Sequence, residues 1–174
     1  MSLITLSDLS YISREDLSSQ ILPSTTSPAT STQAQLPPHI AIIDVRDSDH
    51  IGGHIRGSTW IPSSQLDYKT PELVRTLKDK EIVVFHCALS QQRGPSAALR
   101  YLREKKRLDP GSGVGSKGAV EEEEGKEVKE GEERARKAQR VLVLDGGFTK
   151  WQEKFGGDER LTEGWLKDVW EFGY

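Results

Sequence analysis

Cys87 and Arg93 stand six positions apart, with Ala88, Leu89, Ser90, Gln91 and Gln92 between them, in the segment IVVFHCALSQQRGPSAALRYLREKKR. A thiolate is a strong nucleophile, and a guanidinium offers a planar fork of donors that suits two oxygens of a tetrahedral oxyanion. The five intervening residues are enough for a loop whose backbone N–H groups turn inward as an anion nest. A helix opening near Gly94 would bring its positive end to the same point. The combined field favours thiolate over thiol. The catalytic pair read from this spacing is Cys87 and Arg93, and the oxyanion-binding set is Ala88, Leu89, Ser90, Gln91, Gln92 and Arg93. A lone cysteine after a buried strand is ordinarily a small packed hydrophobe. The position of Cys87 between a predicted strand and a predicted helix is what marks it as a site.

Such a loop needs a strand before it and a helix after it. Three apolar runs, 40–43 (IAII), 82–85 (IVVF) and 141–144 (VLVL), are continuous rather than alternating. That is the pattern of strands buried on both faces of a parallel sheet. Helix signals lie between them. Ser13 with Asp16 resembles a capping box ahead of Leu17 and Ile21. Thr70-Pro71-Glu72 reads as an N-cap, a first-turn proline and a first-turn acid, followed by Leu73, Val74 and Leu77 on one face. From 95 to 107, Ala97, Ala98, Tyr101 and Leu102 share a face. Phe148, Trp151, Gln152 and Phe155 predict a short helix after Gly146-Gly147, and Leu161, Trp165 and Trp170 predict a final helical turn docking back. Alternating strands and helices predict a three-layer α/β domain, in which ligands bind at the carboxyl ends of the strands.

The chain has 174 residues, 34% hydrophobic and 29% charged, with net charge −3. That size suits one domain spanning 1–174. Two stretches dilute the core: 24–38 is rich in Ser, Thr and Pro, and 105–139 is Gly-rich and then charge-dense. Both read as flexible inserts, the second with partial helix near 132–139. The acidic balance argues against a nucleic-acid partner. Apolar runs of four residues argue against a membrane span, which needs roughly 20. Cys87 is the single cysteine, which excludes an internal disulfide framework and a multi-cysteine zinc site. The N-terminus carries no basic region followed by a long apolar run, so no secretion signal is expected. With a lone thiol this points to a reducing compartment, cytoplasmic and/or nuclear.

His86-Cys87, Ser90 and Arg93-Gly94-Pro95 resemble the HCxxSxxRGP loop of the M-phase inducer (cell-division-cycle) dual-specificity phosphatases. The segment IIDVRDSDHIGGHIRGS resembles their other signature, with Asp44, Arg46, Gly52, Gly53, His54, Ile55 and Gly57 in matching places, and VLVLDGGFTKW resembles the late strand and turn of rhodanese-fold proteins. The compact length and early YIS-x-EDL pattern are most similar to small fungal members, which include phosphatases and arsenate reductases. The resemblance implies a rhodanese-like three-layer domain with a mostly parallel sheet, no metal and no cofactor. It also implies a cysteine-dependent tyrosine or dual-specificity phosphatase working through phosphocysteine, or a glutathione- and glutaredoxin-dependent arsenate reductase using the same loop. The substrate would be a phosphorylated protein or a small oxyanion. His86, Asp44 and Arg46 are expected to support the loop and the fold, His54 to be structural, and Ser90 to steady the thiolate or satisfy loop amides.

The inducer phosphatases commonly carry acids within this loop; here there are none, so leaving-group protonation must come from elsewhere. With Cys87 alone, a reductase needs an external thiol such as glutathione or glutaredoxin. A sulfurtransferase, whose loop is typically one residue shorter, and an idle rhodanese-like binding module rank below both.

Overall fold

The computed structural model describes residues 4–22, 36–108, 114–115 and 138–172. Its strands are β1 (Ser10–Ile12), β2 (Ile40–Asp44), β3 (His54–Ile55), β4 (Thr59–Trp60), β5 (Ile82–His86), β6 (Val114–Gly115), β7 (Gln139–Leu144) and β8 (Thr162–Glu163). Its helices are α1 (Arg14–Ile21), α2 (Leu66–Thr76), α3 (Arg93–Leu108), α4 (Gly147–Phe155) and α5 (Lys167–Phe172). The main sheet runs β1–β7–β5–β2–β4 with every pair parallel, and β6 pairs with the start of β7. β3 and β8 form a small antiparallel pair.

The three apolar runs are the three central strands. Successive side chains of a strand alternate faces, so each run feeds two cores. Ala41, Ile43, Val83, Phe85, Val141 and Val143 pack with Leu73, Val74, Ala98, Tyr101 and Leu102 of α2 and α3. Ile40, Ile42, Ile82, Val84, Leu142 and Leu144 pack with Leu17, Ile21, Phe148 and Trp151 of α1 and α4. Helices on both faces make the continuous apolar pattern necessary. α1 starts as expected, with the Ser13 hydroxyl oxygen accepting from Asp16 N–H at 3.0 Å. No helix among the described residues is long and apolar enough to cross a membrane.

Several boundaries differ from expectation. α2 begins at Leu66, so Pro71 lies inside it and Thr70 is a helical residue whose hydroxyl donates to Leu66 O. The 3-10 turn Ser63–Gln65 runs straight into the helix and starts it early. α3 continues to Leu108 with Lys105 buried, so 105–108 belongs to the domain. Gln139 opens β7 rather than closing a helix, because its amide joins Tyr101 Oη, Leu77 O and Lys80 O. Leu36 packs on the α1/α4 side. Residues 24–35, 109–113 and 116–137 of the two expected inserts lie outside the described residues, as does most of the partial helix at 132–139. Near the C-terminus the expected helical turn is split between β8 and α5, with Trp165 Nε1 donating to Gln152 and Trp170 Nε1 to Gly52 O.

One register relation positions the site. Asp44 at the end of β2 is the partner of His86 at the end of β5, and Val45 N–H donates to His86 O at 2.8 Å. The chain leaving β2 therefore runs beside the loop that leaves β5.

Candidate active site

β5 ends at His86, α3 begins at Arg93, and the loop between starts with Cys87, buried to 3% exposure. Ser90 has φ of 54°, a left-handed turn uncommon outside glycine. That turn brings the Ser90 N–H to 3.2 Å from Cys87 Sγ, where it donates. A cavity of about 140 Å3 opens at the loop, lined by Cys87, Ala88, Leu89, Gln91, Gln92 and Arg93. Cavities that enclose drug-sized ligands run to roughly 300–1,000 Å3, so this one suits a small anionic group. Ser90 is the one expected oxyanion-set member missing from the lining. Its side chain is buried, and Oγ lies 3.4 Å from where a Cβ on Gly94 would stand, with no hydrogen-bond partner among the described residues.

Two elements brace the loop from below. At Gly94 an added Cβ would meet Cys87 N and His86 Cα at 3.3 Å, so glycine lets α3 start close against the loop. The α4 N-terminus takes the first two loop carbonyls: Phe148 N–H donates to Cys87 O at 3.0 Å and Thr149 N–H to Ala88 O at 2.9 Å. Gly147, with φ of 61°, passes so near that a Cβ would sit 2.5 Å from both oxygens. The DGGF turn is thus a support for the loop as well as a fold signature.

The expected supporting residues gather beside the strand ends. Asp44 and Arg46 are both fully buried; Arg46 Nε and Nη2 donate to the Asp44 carboxylate, and its Nη groups also reach Gly53 O and Ile51 O. The Arg46 guanidinium lies 4.4 Å over the Phe148 ring. Burial works against the Asp44 charge, but His86 and Arg46 outweigh it and hold the carboxyl below its ordinary value. His86 is fully buried, its Nδ1 3.1 Å from Cys87 O and its Nε2 3.9 Å from Asp44. Burial pushes its pKa below the usual histidine value, against the opposing pull of the Asp44 charge. His54 is half-buried, its Nε2 3.8 Å from Glu163 Oε2.

Two carboxylates that the loop itself lacks come from the β2 side. Arg93 Nη1 donates to Asp49 Oδ1 at 2.7 Å and Nη2 to Asp49 Oδ2 at 2.5 Å, with Asp47 Oδ2 at 3.3 Å from Nη1. Hydrogen bonding from Arg93 holds the Asp49 pKa down at about 2. For Asp47, burial opposes the charge, while Ser63, Ser64 N–H and Arg93 outweigh it and lower the pKa. Reading along the sequence missed both residues. The available signal was an Asp-x-Asp pair just past a predicted strand end, and it becomes informative only once β2 is known to adjoin β5.

Residues 29–154 match the model of the rhodanese-like domain. The chain belongs to the rhodanese-like family. It is 37% identical over 140 residues to the CDC25-like phosphatase YCH1 of Saccharomyces cerevisiae, covering 74% of this chain and 76% of that one. It is 35% identical over 116 residues to arsenate reductase 2.2 of Oryza sativa subsp. japonica, covering 66% and 71%. Among solved structures, Ygr203w, described as a yeast protein tyrosine phosphatase of the rhodanese family, superposes with a TM-score of 0.63 at 29% identity, covering 96% of this chain and 99% of that one. The rhodanese-like assignment accounts for the parallel sheet flanked by helices and for a loop site at its carboxyl edge.

Proposed function

We propose that this rhodanese-like protein is a cysteine-dependent phosphatase of the tyrosine or dual-specificity type. The observation that carries the reading is Cys87, whose Sγ accepts from the Ser90 N–H and which lines a small cavity together with Arg93. The thiolate attacks phosphorus, and the bond to the leaving oxygen breaks with its electron pair going to that oxygen. Water then attacks the phosphocysteine, the P–S bond breaks, and phosphate leaves with the thiolate restored. Loop amides and Arg93 stabilise the equatorial oxygens through both steps. No loop side chain is an acid, so leaving groups that depart without a proton, such as aryl oxides, are the favoured class. A larger open cavity of about 240 Å3 shares Gln92 and Arg93 and offers room for the chain of a phosphorylated protein. The similarity to proteins named as phosphatases supports the same reading.

A second reading, arsenate reduction, draws on the rice relative and on Cys87 being the chain's single cysteine. Arsenate would condense with Cys87 with loss of water. Glutathione would then attack the sulfur, the S–As electron pair reducing arsenic(V) to arsenic(III) as the two sulfurs join. Glutaredoxin would resolve the mixed disulfide. Both readings suit a cytoplasmic or nuclear setting, where thiols stay reduced.

The test is one preparation assayed for aryl-phosphate hydrolysis without thiol, and for arsenate reduction with glutathione and glutaredoxin. Hydrolysis that disappears in Cys87→Ser supports the phosphatase. Reduction without any hydrolysis puts the reductase in its place.

A further inference from the structure

Arg93 has to point a pair of N–H groups at whatever sits over Cys87, yet its long side chain is one-third exposed at the cavity rim. A flexible arginine there would lose the geometry that makes a guanidinium better than a lysine. What restrains it is on the neighbouring loop. A guanidinium has five N–H donors. Three are engaged: both on Nη1, toward Asp49 Oδ1 and Asp47 Oδ2, and one on Nη2, toward Asp49 Oδ2. Asp49 grips the far end of the fork. Nε–H and the second Nη2–H, which lie on one edge, have no partner among the described residues.

Asp49 is itself tied down. Its Oδ1 also accepts from Asp47 N–H at 2.9 Å, and His50 N–H closes the turn onto Asp47 O at 3.1 Å. The Asp47 carboxylate accepts from Ser63 Oγ at 2.5 Å and Ser64 N–H at 3.2 Å. One residue earlier, Arg46 is fully buried and its carbonyl accepts from Trp60 Nε1 at 2.6 Å; the Trp60 ring stacks on His50 with centroids 4.4 Å apart. The turn that carries Asp49 is thus fixed to the buried end of β2, and β2 pairs directly with β5.

We propose that Asp49 is the positioning residue for Arg93: its end-on grip on both Nη atoms fixes the guanidinium so that the Nε/Nη2 edge is free to take two oxygens of a tetrahedral oxyanion above Cys87. The inference rests on the reading that this cavity takes such an oxyanion. It also assigns a task to the Asp-x-Asp turn, which supplies the carboxylate from a different strand end. The opposite arrangement, in which Asp49 occupies the edge the substrate needs and must be displaced, predicts the reverse behaviour.

The experiment uses the full chain and tungstate, a tetrahedral dianion. Its protection of Cys87 from alkylation by iodoacetamide is measured beside aryl-phosphate kinetics. Asp49→Asn is expected to need about tenfold more tungstate for half-protection, the size of losing one charged hydrogen-bonding partner. kcat/KM is expected to fall by a similar factor, with the unprotected alkylation rate and Tm nearly unchanged. In an Arg93→Ala background the same Asp49 substitution is expected to change nothing, because the effect passes through Arg93. Asp49→Ser is expected to repeat the pattern and serves if Asp49→Asn folds poorly. Unaltered or tighter tungstate protection in the Asp49 variants overturns the proposal, as does an undiminished effect in the Arg93→Ala background. Absence of tungstate protection in the wild-type protein is a different result: it removes the oxyanion-site reading and the proposal falls with it.

Discussion

Two arginine–carboxylate forks stand near each other in this molecule and do opposite things. Arg46 and Asp44 are both fully buried, and Arg46 directs one further donor from each Nη to Ile51 O and Gly53 O. Arg93 and Asp49 are 33% and 25% exposed, and Arg93 keeps Nε and one Nη2–H unengaged. A buried guanidinium must satisfy its donors internally, because no water replaces a missing partner. A guanidinium at a cavity rim can leave an edge open at little cost, since water fills it until a ligand arrives. The difference between the buried arginine and the one proposed to bind an oxyanion is where the spare donors face.

The largest expected effect comes from breaking the buried fork. Asp44→Asn leaves Arg46 charged and uncompensated, a change that costs about 3–5 kcal/mol. Urea unfolding is expected to show that loss as a lower midpoint; a shift near zero would mean that Arg46 finds other partners and that the two forks are less distinct.

Breaking the rim fork moves the effect from stability to activity. Arg93→Lys keeps the charge and removes the two-pronged geometry, so aryl-phosphate turnover is expected to fall on the order of 10²–10³. Tm should change little. Near-wild-type kinetics would make Arg93 a second structural arginine.

Gly147→Ala probes the brace beneath the loop. A Cβ there meets two carbonyl oxygens at 2.5 Å in a positive-φ conformation, and strain of about 1–3 kcal/mol is expected. Because those oxygens belong to Cys87 and Ala88, turnover should drop together with Tm. A Tm loss with intact kcat/KM would show that the loop does not transmit the displacement.

The smallest effect separates the forks by pH. Burial lowers the pKa of His86, and also that of His50, beside Asp44. The unfolded chain titrates its histidines near 6.5, so it binds more protons than the folded state as pH falls below that value. Stability is therefore full above about pH 6.5 and declines as acid is added. The Asp49–Arg93 pair keeps its charge far lower, since Asp49 titrates at about 2. Urea midpoints at pH 7 and pH 5 are expected to differ, with the lower stability at pH 5. Tungstate protection of Cys87 should persist at both. Equal midpoints would show that the buried histidines accept protons in the folded state.

The layers, and the strand-to-helix loop proposed as the site, were legible along the chain. Three apolar runs without alternation can be satisfied only between two layers of helices. Cys87 and Arg93 bracket a strand-to-helix loop within eight contiguous residues, 86–93, so the chemistry of that loop is local. Where packing competed with local signals, the boundaries moved: Pro71 did not start α2, because the turn at Ser63 had already begun it, and Gln139 became a strand residue by serving three distant polar groups. The grip of Asp49 on Arg93, 44 positions away, was decided by tertiary structure alone. Which strands adjoin is a long-range choice made by packing the whole sheet. Only the pairing of β2 with β5 places the turn after Asp44 against the loop after His86. The same holds for Gly147, whose backbone closeness to Cys87 O follows from α4 crossing under a loop some 60 residues earlier. Periodicity and spacing report what a segment does with its own neighbours, whereas the partners of an active-site side chain come from whichever segments the sheet order brings to its edge.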